Sequence, residues 1–198
     1  MAIEPHLENQ TYWQEHGLEY LRYKYKLSAD DMVVDLGAYR GDFAEQIHRE
    51  HGCRVICVEP TDSIFRLQHE EWCMIINKVA GCHAGIVRFG GAFYYSSLFE
   101  GGQYGFRDYE QFDVLEIMSQ PIALLKINVE GMEYDLMERI LASGMQSNVR
   151  NFQIQFHIIN GEDSEARYQA IAKKLNKTHQ PDWVHKFVWE SWSIRPSV

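Results

Sequence analysis

Residues 32–58 constrain the fold more tightly than any other stretch. Met32-Val33-Val34-Asp35 is a short apolar run of strand length, and Gly37 and Gly41 punctuate a turn after it. Phe43, Ala44 and Ile47 then recur at helical spacing until Gly52, and Arg54 to Val58 is a second apolar run ending in Glu59-Pro60. Strand, helix, strand in so few residues is the rhythm of a parallel sheet with helices on its faces.

The rhythm continues. Asp62 or Ser63 can cap a helix through Leu67, and Met74 to Val79 reads as a third strand. Ile122 to Ile127 is a strongly apolar strand, followed by a helix from Gly131 to Ala142 that Gly144 stops. Phe152, Ile154 and Phe156 alternate as a strand ending at His157, Ser164 to Leu175 is a further helix, and Val184 to Ile194 closes the chain as an antiparallel hairpin. Two segments stand apart. Residues 11–27 read as one helix rich in Tyr, Trp and Leu within an N-terminal helical extension, residues 1–30. Residues 90–110 alternate Gly with Phe and Tyr and read as an irregular loop insert. The 198 residues suit one domain, 1–198, with enough chain to bury a core without staples.

A formal net charge of −9 argues against nucleic acid as the main partner, because phosphate backbones select Lys/Arg surfaces. None of the four cysteines, Cys53, Cys57, Cys73 and Cys82, forms a Cys-x-x-Cys pair, and reduced core thiols are expected. Met1 to Gln10 lacks the apolar run of a secretory signal, and no stretch reaches the about 18 apolar residues of a membrane span. The expectation is a cytoplasmic protein with no membrane partner.

In an open parallel sheet, ligands bind outside the carboxyl ends of the strands. Four such ends carry chemistry here: Asp35-Leu36-Gly37, Glu59-Pro60, Asn128-Val129-Glu130-Gly131 and His157. A dinucleotide turn would want glycines at 37, 39 and 42, but 39 is Tyr and 42 is Asp, and Asp42 would stand where a pyrophosphate should lie. Nicotinamide dinucleotides are therefore disfavoured. Asp35 can instead attract an ammonium group, Gly37 lets backbone approach a ligand, and Glu59 can accept hydrogen bonds from both hydroxyls of a ribose. That combination suits a zwitterionic nucleoside.

The segments Val34-Asp-Leu-Gly-Ala-Tyr-Arg-Gly41, Val58-Glu-Pro60 and Leu124-Leu-Lys-Ile-Asn-Val-Glu-Gly-Met-Glu-Tyr-Asp135 resemble the FkbM-type methyltransferases that use S-adenosylmethionine (SAM). The likeness runs in order from about residue 32 to 157, and its last segment is the most distinctive. It implies an α/β, Rossmann-like class I methyltransferase fold: a three-layer sandwich around a mostly parallel seven-stranded sheet with an antiparallel last strand. It further implies SAM as cofactor and O-methylation of a sugar or other small-molecule acceptor. Carried over by motif, Asp35, Gly37, Ala38, Tyr39 and Gly41 line the methionine side of SAM, Glu59 and Pro60 the ribose, and Val79 and Ala80 the adenine. Asn128, Glu130 and His157 face the transfer site. The family carries Asp where this chain has Asn128, and the acidic residue usual after the third strand is replaced by Gly81-Cys82-His83.

A hydroxyl acceptor must lose a proton, and His157, whose ordinary pKa lies near neutrality, is the first choice of base, with Glu130 second. The plain alternatives stay open: His157 holding a backbone carbonyl, and Glu130 as a first-turn carboxylate favoured by the helix dipole. Asn128, which cannot remove a proton, supports a second reading as a SAM-binding module without turnover.

Overall fold

The structure, a computed structural model, describes residues 5–90, 106–159 and 163–196. In chain order the elements are α1 (Pro5–Glu15), β1 (Met32–Leu36), α2 (Asp42–His51), β2 (Arg54–Val58), β3 (Cys73–Ile76), β4 (Val79–Gly81), β5 (Gly85–Gly90) and β6 (Phe106–Asp113). There follow β7 (Leu124–Ile127), α3 (Glu133–Ser143), β8 (Asn151–Ile154), α4 (Ser164–Leu175), β9 (His179–His185) and β10 (Trp189–Ile194).

Seven strands form one sheet in the order β3-β2-β1-β7-β8-β10-β9. The pairs β1–β2, β2–β3, β1–β7 and β7–β8 are parallel, and β10 runs antiparallel to both β8 and β9. The expected mostly parallel sheet with an antiparallel last strand is what the chain forms. The order reverses between β1 and β7, so their carboxyl ends open the crevice where such sheets take ligands.

Alternation along the strands builds three layers. Val33, Val55, Cys57 and Leu124 pack with Phe43, Ala44 and Ile47 of α2 on one face. Val34, Leu36, Ile56, Leu125, Ile127, Phe152 and Ile154 pack on the other with Leu136, Met137 and Ile140 of α3 and with Ile171 and Leu175 of α4. One register row breaks the apolar pattern: Asp35 pairs with Lys126, Lys126 with Gln153, and Gln153 with Ser191. All four are buried.

Several local expectations change. The helix over 11–27 stops at Glu15, because Gly17 takes a left-handed conformation (φ 60°) and Leu18–Tyr23 continues only as a 3-10 turn. Asp62–Leu67 is likewise 3-10 rather than α. The strand over 74–79 splits at a tight turn, in which Lys78 N donates to Ile76 O at 2.9 Å. Its first part is the edge strand β3, and Val79 begins β4 in a second sheet of order β4-β6-β5. The irregular insert over 90–110 is corrected at its far end, where Phe106–Asp113 pairs antiparallel with Gly85–Gly90. Residues 91–105 of that insert lie outside the described residues. Among the described residues, no helix is long and apolar enough to cross a membrane.

Candidate functional site

The turn after β1 is shaped by close approach. Gly37 (φ 76°) and Ala38 both donate their N–H groups to Val58 O, at 2.9 and 3.1 Å, which ties the turn to the end of β2. A Cβ on Gly37 would stand 1.8 Å from Asn128 O, so the β1 and β7 ends can meet only through glycine. Gly41 (φ 79°) starts α2, and a Cβ there would stand 2.3 Å from Leu67 Cδ1. Between them Tyr39 also takes a left-handed conformation, φ 49°.

Glu59 holds that conformation. Its Oε2 accepts from Tyr39 N at 2.9 Å, and its Oε1 accepts from Thr61 N at 3.0 Å and Thr61 Oγ1 at 2.7 Å. Ser63 Oγ contacts Thr61 Oγ1 at 2.6 Å and donates to Tyr39 O at 3.0 Å, closing a ring of contacts. Asn77 fixes the Glu59 backbone by donating to its carbonyl at 2.9 Å. A carboxylate has about four acceptor positions, and three are filled among the described residues. The remaining one, on Oε2, leaves room to accept from one further hydroxyl, where the sequence suggested two.

These residues border a cleft of about 220 Å³ at the carboxyl edge of the sheet. Of the residues expected at the site, Gly37, Tyr39, Glu59, Pro60, Val79, Ala80, Asn128 and Glu130 line it. Asn128 Oδ1 is buried there with no hydrogen-bond partner among the described residues. An orphaned buried carbonyl costs about 1–3 kcal/mol unless a donor reaches it, so this atom can accept from an N–H or O–H placed in the cleft. Lining residues that sequence reasoning did not single out include Thr61, Lys78 and Met132.

Asp35, Ala38 and Gly41 do not line the cleft. Asp35 is fully buried on the α2 face of the sheet, where Lys126 Nζ stands 2.7 Å from its Oδ1. The ammonium lies off the hydrogen-bonding direction of that carboxylate, so the compensation is chiefly Coulombic. Lys126 spends a well-formed hydrogen bond, 2.9 Å, on Gly37 O. The pair thus supports the turn from beneath, and Asp35 is not aimed at a ligand.

The other side of the cleft is acidic. Glu130 takes a left-handed conformation (φ 53°) in the β7–α3 loop, and its side chain is 39% exposed. Behind it, His157 Nε2 stands 3.5 Å from Glu130 Oε2, and His157 Nδ1 is 2.9 Å from Oε1 of Glu133, a fully buried carboxylate. Glu133 also accepts from Val129 N at 2.9 Å and from Gly131 N at 3.0 Å. Burial works against the charged form of His157, but the hydrogen bond to Glu133 and the charges of Glu133 and Glu130 outweigh it, and its pKa is raised. Burial also raises the pKa of Glu130, against the pull of His157. Glu130 is therefore the carboxylate on this side of the cleft, and His157 reaches the cleft through it.

No known protein family's sequence profile matches the chain, and neither does any curated protein sequence. Solved structures do match. A methyltransferase FkbM from Methylobacillus flagellatus superposes with a TM-score of 0.56 at 12% identity, over 87% of this chain and 45% of that one. The 23S rRNA methyltransferase ErmE superposes with a TM-score of 0.50 at 9% identity, over 91% of this chain and 68% of that one. The fold is that of the class I methyltransferases. This chain spans less than half the length of the FkbM structure. The second match corrects the expectation of a small-molecule acceptor and no nucleic-acid partner, since an rRNA methyltransferase shares the fold. The physical reason is that net charge averages over the whole surface, whereas an acceptor meets only the rim of one cleft.

Proposed function

We propose that this protein is a SAM-dependent methyltransferase of the FkbM type, acting on an acceptor that presents a hydroxyl at the Glu130 side of the cleft. The observation that carries the reading is the Glu59–Tyr39 link, which closes a glycine turn over a cleft holding one spare acceptor on Glu59 and the orphaned Oδ1 of Asn128. Both atoms suit a nucleoside with an amino-acid tail. Glu59 would hold a ribose hydroxyl, Asn128 would accept from a donor on the ligand, and Val79 and Ala80 would give the base an apolar wall. When bound, SAM supplies an electrophilic methyl group. The chain supplies orientation, a general contribution of about 7–11 kcal/mol. Glu130 takes the acceptor's proton, typically about 10²–10⁴-fold in rate, with His157 stabilising it from behind.

Calorimetric titration with S-adenosylhomocysteine tests the cofactor. Micromolar binding that collapses in Glu59→Ala supports the reading, and no binding by the folded protein overturns it. Label from methyl-tritiated SAM is then followed into total RNA and into size-fractionated cell extract, to find the acceptor. Asn128, an amide where a carboxylate would take a proton, favours one further reading: a SAM-binding module without turnover. Binding with no transfer to any fraction would select it.

A further inference from the structure

Glu133 has no place in the cleft, yet one buried carboxylate there meets three demands. Its Oε1 accepts from Val129 N and its Oε2 from Gly131 N, the two amides that flank Glu130. Those bonds hold the loop in which Glu130 (φ 53°) and Gly131 (φ 112°) are successive left-handed residues, a conformation unfavourable for Glu. The same Oε1 lies 2.9 Å from His157 Nδ1. Because backbone amides can only donate, both oxygens of Glu133 are already engaged as acceptors, and Nδ1 must carry the proton in that contact. The ring is fixed from its main chain too, since Tyr134 Oη donates to His157 O at 2.8 Å.

With Nδ1 committed, Nε2 is the only nitrogen of His157 left to face Glu130. We propose that Glu133 is the positioning residue of this site: it fixes the ring orientation of His157 and keeps a proton on Nδ1, so that Nε2 is the nitrogen turned to the Glu130 carboxylate and the second proton, when the ring takes it, sits between them. With the ring protonated, Glu133–His157–Glu130 behaves as one unit, a cation between two carboxylates. Among the described residues, the titratable groups that face the ring are these two glutamates, and Lys126 and Glu59 act on Glu130 from further off. Loss of the Glu133 charge removes the nearer of the ring's two anionic partners and leaves Nδ1 without its acceptor. His157 then loses its proton at lower pH, and Glu130 loses a cation that favours its charged form. The functional meaning rests on the proposed methyl transfer, whereas the link between Glu133 and His157 does not.

The test is an NMR titration of the His157 ring in the free protein, assigned with His157→Asn and repeated in Glu133→Gln. The wild-type midpoint is expected above 6.5, the ordinary value, and Glu133→Gln should lower it by about 1–3 pH units, the usual effect of one adjacent opposite charge. An unchanged midpoint in a folded Glu133→Gln protein overturns the proposal. If that variant fails to fold, Glu133→Asp carries the test: it keeps the charge but withdraws it, and its midpoint should fall by a smaller amount. A midpoint equal to wild type in Glu133→Asp is then the overturning result. No ligand is needed, so failure to bind S-adenosylhomocysteine would remove the methyltransferase reading and leave this relation standing. If transfer is found, the alkaline limb of its pH profile, where the His157 ring loses its proton, should move to lower pH with the ring's midpoint in Glu133→Gln, which a purely structural role of Glu133 would not produce.

Discussion

Lys126 and Asp35 are register partners on neighbouring strands, and the ammonium of one lies 2.7 Å from the carboxylate of the other with both side chains almost wholly buried. The same ammonium donates to Gly37 O, so a stability element and the ligand-facing turn share one cation. Breaking a buried pair from one side leaves an uncompensated charge, at a cost of about 3–5 kcal/mol. Lys126→Met should destabilise by that amount in urea unfolding. Asp35→Asn added to Lys126→Met should recover part of it, because the two positions are coupled. A double variant as unstable as the sum of the singles would show that the pair is not the source.

That pair also shows where sequence reading stops. The central strands of the large sheet were legible because short apolar runs between turn residues mark buried strands, and Gly37, Gly41, Glu59 and Asn128 were legible because polar or glycine residues at strand ends are unusual. Lys126 left a signal in the sequence, a single charge inside the apolar run Ile122 to Ile127. Its partner could not be read, because only the β1–β7 register brings Asp35 to it. The aim of Asp35 was misjudged for the same reason: strand alternation turns it to the α2 face, away from the cleft. Glu133 stands in the distinctive segment after β7, but its target, His157, belongs to the next strand's end. Thr61 carried no sequence signal at all. The split of 74–79 was hidden because an apolar run looks the same whether it stays in one sheet or crosses to another.

The approach of Gly37 to Asn128 predicts an outcome for the smallest possible change. Gly37→Ala puts a methyl where the Asn128 carbonyl already stands and requires a positive φ of an L-residue. Strain of about 1 kcal/mol from φ alone, with the clash added, should weaken S-adenosylhomocysteine binding by about tenfold or more. Calorimetry checks this. Unaltered affinity would mean that the turn relaxes freely and does not form the ligand's wall.

Thr61 tests how Glu59 is held. Thr61→Val keeps the shape and the backbone N–H but removes the Oγ1 bond to Oε1. A hydrogen bond to a charged group contributes about 1.5–3 kcal/mol, part of which water recovers at a half-buried site. Binding of S-adenosylhomocysteine should fall by about tenfold, while urea stability changes by less than about 1 kcal/mol. The reverse pattern, stable affinity with lost stability, would make Thr61 a loop brace alone.

Glu190, on β10, gives a pH dependence whose sign is unusual for a carboxylate. It is 3% exposed, and burial pushes its pKa up to about 7 from an ordinary 4.5, although Trp192 Nε1 and Tyr168 Oη both donate to it and Lys186 pulls the other way from burial. Because the folded pKa is raised, the folded state holds the proton more tightly than the unfolded chain. Its contribution to stability is therefore complete below about 4.5, declines as pH rises, and is lost above about 7. The size is on the order of 3 kcal/mol across that window. Glu190→Gln removes the titration and keeps the contacts, since its amide oxygen can accept from Trp192 and its amide nitrogen can donate to the Tyr168 hydroxyl. Measured by urea unfolding from pH 5 to 8, the stability of Glu190→Gln relative to wild type should rise with pH and level off past about 7. A difference that stays flat across the range would mean that Glu190 is ionised in the folded protein throughout, held by Lys186 and its two donors against the cost of burial.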